Sequence, residues 1–157
     1  MDDPSCAGII LCGLRDAENA RRVLAWVGAT FQGSDSALIA VHVITPSDAF
    51  LRDLSPDGLT TWRLQRESQM KREWLSEVRA SGFEVVPRVV HGEGVATGIL
   101  RIADETKPDF IVVGAANHPH VAAPVGQRIA QLAHQPVVIV PRRWGAARSG
   151  DQLRTPA

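Results

Sequence analysis

Residues 112–130 read VVGAANHPHVAAPVGQRIA, and this stretch decides the fold class. It begins with apolar residues that end at Gly114, crosses a polar loop, and reaches Pro124, which is well placed to open a helix. A buried strand followed by glycine, a loop and a helix is typical of α/β proteins, where such loops often hold a phosphate group. The stretch therefore predicts a strand-loop-helix unit with a candidate ligand site.

The same alternation extends toward both ends of the chain. Helical spacing of apolar residues predicts helices after Asp16, from Leu59 to Gly82, at Val95 to Thr106 and from Pro124. The polar segment 47–58 is predicted to be a loop. Continuous apolar runs predict buried strands at residues 7–13, 37–44, 83–90, 109–114 and 137–140.

This order of elements predicts one α/β domain. Alternating strands and helices form right-handed crossovers, which give a doubly wound, five-stranded, mainly parallel sheet with helices on both faces. Pro87 cannot donate a ladder hydrogen bond, so its strand is predicted to lie at a sheet edge. The length of 157 residues fits a single domain.

Composition and charge exclude several classes of function. Seventeen basic side chains balance seventeen acidic ones, which gives no electrostatic reason to expect a nucleic acid or an anionic membrane as partner. No apolar segment approaches the roughly 20 residues of a membrane helix, and the first eight residues lack the apolar run of a secretory signal. A cytoplasmic protein is expected, and the Ala, Arg and Gly content favours a bacterial source.

Ligands of an open parallel sheet gather beyond the carboxyl ends of its strands, where the strand order reverses. Helix N-termini at that edge offer free N–H groups and a positive dipole end, which suit an anion. The predicted walls of the crevice are residues 13–17, 44–46 and 114–125. The candidate cofactor-binding residues are Gly13, Arg15, Asp16, Gly114, Asn117 and Val125.

Four segments of the chain carry a family resemblance. They read GIILCGLRDAENARRVL, ALIAVHVITP, VVHGEGVATGILRIADETKPDFIVVG and QRIAQLAHQPVVIVP. In order and spacing they resemble the universal stress protein family from residue 7 to residue 141, which leaves residues 1–6 and 142–157 as tails. The resemblance implies a Rossmann-like fold of the adenine nucleotide alpha hydrolase type, and a homodimer that pairs through the last strand, Val137, Val138, Ile139 and Val140.

Nucleotide-binding members of that family carry the motif G-x2-G-x9-G-[ST] after the fourth strand. Gly114 matches its first position, Asn117 replaces the second glycine, and Ala123 and Pro124 replace the final pair in a shortened loop. Ala123 crowds backbone that should lie against phosphate, and Pro124 lacks both a hydroxyl and an N–H donor. Just after the first strand, the family alignment puts Arg15 in the place of an acidic residue, and Asp16 follows it.

These departures favour a non-catalytic stress-response module that does not bind ATP in the family manner and has no cofactor. The alternative is an ATP- or AMP-binding switch with slow or no hydrolysis, and a third reading is an enzyme of the hydrolase-like group. No nucleophile elbow, P-loop, GxGxxG or metal quartet is visible in the sequence. No catalytic or metal-binding residue is therefore predicted.

Several single residues have an ordinary structural interpretation. His118 and His120 flank Pro119 in the shortened loop and are predicted to be exposed polar residues, although two histidines at this spacing can reach one anion or metal. Arg15 is expected to pair with Asp16 or solvent, with a bound anion as the alternative. The remaining predictions are a sheet histidine at His42, a turn residue at His91, a buried thiol at Cys12, and core packing by Leu59, Trp62, Met70, Trp74 and Val78.

Overall fold

Strands and helices alternate along the chain. The computed structural model of the protein describes residues 8–45, 53–116 and 124–145. The strands are β1 (Ile9–Gly13), β2 (Ala37–Ile44), β3 (Glu84–His91), β4 (Phe110–Gly114) and β5 (Val137–Val140). The helices are α1 (Ala17–Thr30), α2 (Pro56–Gln69), α3 (Ser76–Ala80), α4 (Val95–Thr106) and α5 (Val125–Leu132), and a π-helical turn (Met70–Trp74) joins α2 to α3.

The five strands form one sheet in the order β3-β2-β1-β4-β5, and every neighbouring pair is parallel. This confirms the predicted doubly wound α/β fold. The chain moves from β1 toward β3 on one side and returns through β4 to β5 on the other, so the order reverses between β1 and β4. Pro87 lies in β3 at the edge of the sheet, as predicted, opposite Ala40.

Both faces of the sheet are covered by helices. On one face Ile10, Cys12 and Leu38 pack with residues of α1, the π-helical turn and α3. On the other face Leu11, Val41 and Ile111 pack with residues of α4 and α5. Alternate residues of a strand point to opposite faces, so burial on both sides requires the continuous apolar runs that the sequence shows.

The start of α2 corrects one prediction. Residues 56–58, expected in a loop, form its first turn: Pro56 occupies the opening of the helix, and the Gly58 N–H donates to Ser55 Oγ at 3.1 Å. The sequence placed the helix start too far along the chain because the first turn of α2 is polar and shows no apolar periodicity. The Ser55-Pro56 pair is itself a signal for a helix start. The π-helical turn interrupts the helix that the sequence predicted as a single one.

Two further predictions concern the Cys12 thiol and the tails of the chain. Cys12 is fully buried, as predicted, and burial raises the pKa of its thiol to about 12. The segment after Pro141, expected as a tail, begins with a turn in which Trp144 packs against the core beside α1. Residues 1–6 and 146–157 of the predicted tails lie outside the described residues. No helix in the described parts is long and apolar enough to cross a membrane.

Two helical glycines predict opposite effects of an added methyl group. At Gly98 in α4 a Cβ atom would lie 2.7 Å from Val43 Cγ1, whereas at Gly28 in α1 nothing lies within 4 Å. Alanine favours a helix over glycine by roughly 0.5–1 kcal/mol, but overpacking a core costs about 1–3 kcal/mol. We expect Gly28→Ala to raise the free energy of unfolding in urea and Gly98→Ala to lower it, on the order of 1 kcal/mol net.

The Val43→Ala background supplies the control, because it removes the methyl groups that the new Cβ would meet. In that background Gly98→Ala should become neutral or stabilising. An equal loss in both backgrounds would show that the β2 contact is not what requires glycine in α4.

Candidate functional site

A crevice opens at the carboxyl ends of the strands, where the strand order reverses between β1 and β4. It contains a cavity of about 130 Å³ with mainly apolar walls from β1, β2, β4 and α4. The predicted residues Gly13, Arg15, Gly114 and Val125 all line this cavity. Asp16 is not among its lining residues, and Asn117 lies outside the described residues.

A hydrogen-bond network at the start of α1 determines what Arg15 and Asp16 do. The Asn19 N–H donates to Asp16 Oδ1 at 2.8 Å, so Asp16 caps α1 as predicted. Arg15 Nε donates to the other carboxylate oxygen at 3.0 Å, and the Arg15 N–H donates to Asn19 Oδ1 at 3.0 Å. The expected Arg15–Asp16 ion pair is therefore present, with both side chains about half exposed.

The electrostatic environment of Asp16 favours its charged form. Partial burial raises the pKa of the carboxyl group, but the hydrogen bond from Asn19, the hydrogen bond and charge of Arg15, and the charge of Arg22 lower it. The lowering effects outweigh burial, so the pKa lies below its ordinary value of 3.8. Asp16 is held as a negatively charged helix cap.

Gly114 and Gly13 are closely packed against neighbouring side chains. A Cβ atom on Gly114 would collide with Asn19 Nδ2 and would lie 3.0 Å from Arg22 Nη2. A Cβ atom on Gly13 would lie 2.7 Å from Ile99 Cδ1. Gly114, which matches the first position of the nucleotide motif, and Gly13 thus have a packing reason that needs no phosphate.

Pro124 stands at the N-terminus of α5, at the edge of the cavity. It occupies the cap position with extended backbone and makes no side-chain capping bond. Proline supplies neither an N–H nor a hydroxyl donor there, although Val125, the first residue of the helix, lines the cavity. The rest of the shortened loop, with Asn117, His118, His120 and Ala123, lies outside the described residues.

A second cavity adjoins the first on the α2 side. It measures about 420 Å³ and shares Arg15, His42, Val43 and Val95 with the inner cavity. Its further lining residues are Thr45, Trp62 and Arg66. We call the two cavities the inner and outer cavity.

His42 combines a structural role with a place in both cavities. Its Nδ1 lies 2.9 Å from the Leu14 carbonyl oxygen, and its ring meets Trp74 edge to face at 5.4 Å. A carbonyl oxygen only accepts, so Nδ1 carries the proton in this bond. The predicted sheet histidine is confirmed, but its position in the crevice was not predicted.

Sequence reasoning missed Arg66 altogether, and it predicted Trp62 as core packing, which is confirmed, but not as a residue of the outer cavity. The aromatic residues at helical spacing were interpreted as core packing, which Trp74 and Met70 confirm by their burial. Arg66 follows Trp62 by four residues and therefore lies on the same helix face. A charged residue within an apolar stripe was the signal that could have found it.

His91 does not line either cavity of the crevice. The exposed His91 ends β3, and its carbonyl oxygen accepts from Arg101 Nη2 at 3.0 Å. Across residues 8–45, 53–116 and 124–145, no group of three or more His, Cys, Asp or Glu side chains is placed to hold a metal ion.

Comparison with known proteins identifies the family. A sequence model described as the Universal stress protein family matches residues 8–141. The chain belongs to this family. The universal stress protein resemblance of the sequence is thereby confirmed, and a search of curated protein sequences found no match.

Solved structures of universal stress proteins and similar proteins share the fold. The hypothetical protein MJ0577 is 21% identical with a TM-score of 0.71, and the match covers 85% of this chain and 95% of that one. A universal stress protein in complex with cAMP is 19% identical, with a TM-score of 0.59 and coverage of 87% and 99%. A family member from Arabidopsis thaliana with AMP bound is 15% identical, with a TM-score of 0.61 and coverage of 95% and 97%.

The Asp16 cap predicts a stability effect that depends on pH. Asp16→Ala should lower the free energy of unfolding by about 1 kcal/mol, because it removes the acceptor at the start of α1. Asp16→Asn keeps an acceptor and should cost less. The lowered pKa means that the extra stability from the charge is present above the ordinary pKa of 3.8 and is lost as the pH falls through the lower, folded-state pKa.

The measurement is urea unfolding of the wild type and both variants at neutral pH and in buffers descending below pH 3.8. The gap between wild type and Asp16→Asn should close at the acidic end. A gap that stays constant across the series would show that the charge of Asp16 adds nothing to stability.

Proposed function

We propose that this universal stress protein is a non-catalytic binding module whose crevice takes a small adenine nucleotide, such as AMP, and does not enclose ATP in the family manner. The observation that carries the proposal is Pro124 at the N-terminus of α5, where the family motif has a hydroxyl-bearing residue. The crevice keeps room for a base and loses donors for distal phosphates.

The inner cavity suits a flat, largely apolar group. Its walls include Val41, Val43, Ile99 and Val113, and small-molecule sites generally combine such walls with a few polar groups. Here those groups are Arg15, Asn19 and His42. Relatives of the same fold bind cAMP and AMP, which supports an adenine nucleotide as the ligand class.

The α5 side of the crevice favours a nucleotide with few phosphate groups. Oxyanions are held by N–H groups and hydroxyls at helix N-termini, and Pro124 offers neither. Ala123, one residue earlier in the sequence, carries a methyl group where a glycine would let the backbone approach a phosphate. The α5 N–H groups that follow Pro124 favour the alternative of an ATP- or AMP-dependent switch, which binding measurements separate from the proposal.

A binding module is also supported by the chemistry of the lining residues. No Asp or Glu is among the described residues that line the inner or outer cavity. The nearby Asp16 carboxylate is occupied by the Asn19 N–H and the Arg15 guanidinium. A carboxylate that acts as general acid or base must be within reach of the reacting proton, and Asp16 is committed to capping α1.

Calorimetric titration with adenosine, AMP, cAMP and ATP tests this function. We expect AMP to bind and ATP to bind no more tightly than AMP, because the distal phosphates gain no partners. Val95→Trp places a large ring at the rim of both cavities and should abolish AMP binding. Leu132→Trp is the matched control, since that residue is 65% exposed on α5 and lines neither cavity.

Pro124→Ser restores a hydroxyl and an N–H donor and should improve ATP affinity selectively, by about tenfold for one charge-assisted hydrogen bond. Wild-type protein that prefers ATP clearly over AMP would establish the nucleotide-switch alternative instead. Absence of binding to every adenine compound would reject the whole ligand class.

We further propose that the module acts as a homodimer through β5. This strand is at the sheet edge and pairs only with β4 among the described strands, and Ile139 in it is 42% exposed. An uncovered apolar edge strand is a template for pairing, and a second copy is the simplest cover.

Ile139→Lys should convert the dimer to a monomer, because it places a charge in the strand pair. Val86→Lys is its control, since Val86 is exposed on β3 at the opposite edge. Analytical ultracentrifugation at micromolar concentration measures the result. A wild-type protein that sediments as a stable monomer would exclude this interface.

A further inference from the structure

We propose that the outer cavity is an oxyanion subsite, in which Arg66 and Arg15 hold the phosphate group of the ligand. The identity of the ligand rests on the proposed function. The phosphate subsite itself is an independent feature of the outer cavity. The subsite takes the phosphate next to the ribose, on the α2 side of the crevice, and the further phosphates of a longer nucleotide still depend on donors at the Pro124 side.

Arg66 is held rigidly at the wall of the outer cavity. Its guanidinium carbon lies 5.2 Å from the ring centroid of Trp74 and 5.8 Å from that of Trp62. Its Nη1 donates to Gln69 Oε1 at 2.7 Å, and Gln69 Nε2 donates in turn to Glu73 Oε2 at 2.9 Å. The side chain has therefore already lost most of its conformational freedom, so binding an anion costs little further ordering.

One N–H donor of the Arg66 guanidinium lacks a hydrogen-bond acceptor. Arg66 Nε is buried and makes no hydrogen bond. Leaving a buried donor unpaired is costly, and for a charged group the cost is higher. The flat guanidinium presents its donors in a fixed fork, and that geometry matches the oxygens of a phosphate or carboxylate.

Among the residues with described positions, no carboxylate forms a direct ion pair with Arg66. Between residues whose placement is described, the ion pairs are Arg15–Asp16 and Arg88–Glu105. Glu73 contacts Arg66 only through Gln69, and the Glu67 carboxylate accepts from the Val89 N–H instead. Aromatic rings stabilise the cation without neutralising it.

Arg15 brings a second positive charge to the same cavity. Its Nε is paired with Asp16, but a guanidinium has five N–H donors, so that bond leaves others for a ligand. Arg15 also lines the inner cavity, which makes it the bridge between the two. A ligand with an apolar ring in the inner cavity and a phosphate in the outer one would meet both arginines.

The direct test observes Arg66 itself. Correlation spectra of the arginine Nε–Hε groups are recorded while inorganic phosphate or AMP is added at constant ionic strength, with the Arg66 signal assigned by its loss in Arg66→Lys. We expect this signal to shift saturably with both probes. The Nε–Hε signal of Arg63, an exposed residue of α2, should stay in place.

Calorimetry supplies the second arm. Arg66→Gln should weaken AMP binding about tenfold or more, the effect of a lost charge-assisted hydrogen bond, while adenosine affinity stays unchanged. Arg63→Gln removes the same charge from the same helix outside the cavity and should leave AMP affinity within a factor of about two. Thermal unfolding of the variants checks that both are folded.

The outcomes separate this subsite from the proposed function. An Arg66 signal that responds to phosphate in a protein that binds neither AMP nor adenosine supports the subsite and rejects the adenine ligand. AMP binding that is unaffected by Arg66→Gln, or weakened equally with adenosine binding, overturns the subsite and leaves the proposed function standing. An Arg66 signal that responds to neither probe also overturns the subsite.

Discussion

The close approach of α1 to the end of β4 constrains the whole crevice. Gly114 touches Asn19 so tightly that no side chain fits between them. Asn19 in turn accepts from the Arg15 N–H and donates its own N–H to Asp16, so the contact fixes the turn between β1 and α1. Arg15 and its ion pair occupy their positions because these hydrogen bonds join them to the first turn of α1.

The sheet topology then determines what the crevice can offer. Reversal of strand order between β1 and β4 leaves space above the strand ends, and helices on both faces make its floor apolar. Polar groups enter from the rim: Arg15 from the β1 turn, His42 from β2, and Arg66 from α2. The two ends of the rim differ in what they offer a ligand. Pro124 lies at the α5 side, and the Arg66 guanidinium, close to the rings of Trp62 and Trp74, lies at the α2 side.

Much of the fold was predictable from local sequence patterns. β2 and α4 lie at the predicted residues, and Pro87 marked the edge strand, because burial on both faces and proline geometry act locally. The site was predictable only in part. The turn residues Gly13, Arg15 and Gly114 follow from strand ends, whereas Arg66 reaches the crevice through the fold of a distant helix, and its stripe has the spacing of ordinary core residues. The shortened loop is a sequence observation whose geometry lies outside the described residues.

The π-helical turn at Met70–Trp74 has a consequence for how this face of the protein can change. In a regular α-helix Trp74 would lie about 80° away from Arg66 around the helix axis, because each residue advances about 100°. The extra residue of the turn takes up about one such step and brings the indole back beneath the guanidinium. The π-helical turn therefore sets this pair, and a one-residue deletion that restored a regular α-helix there would keep it, because seven regular steps of about 100° end at the same helical phase.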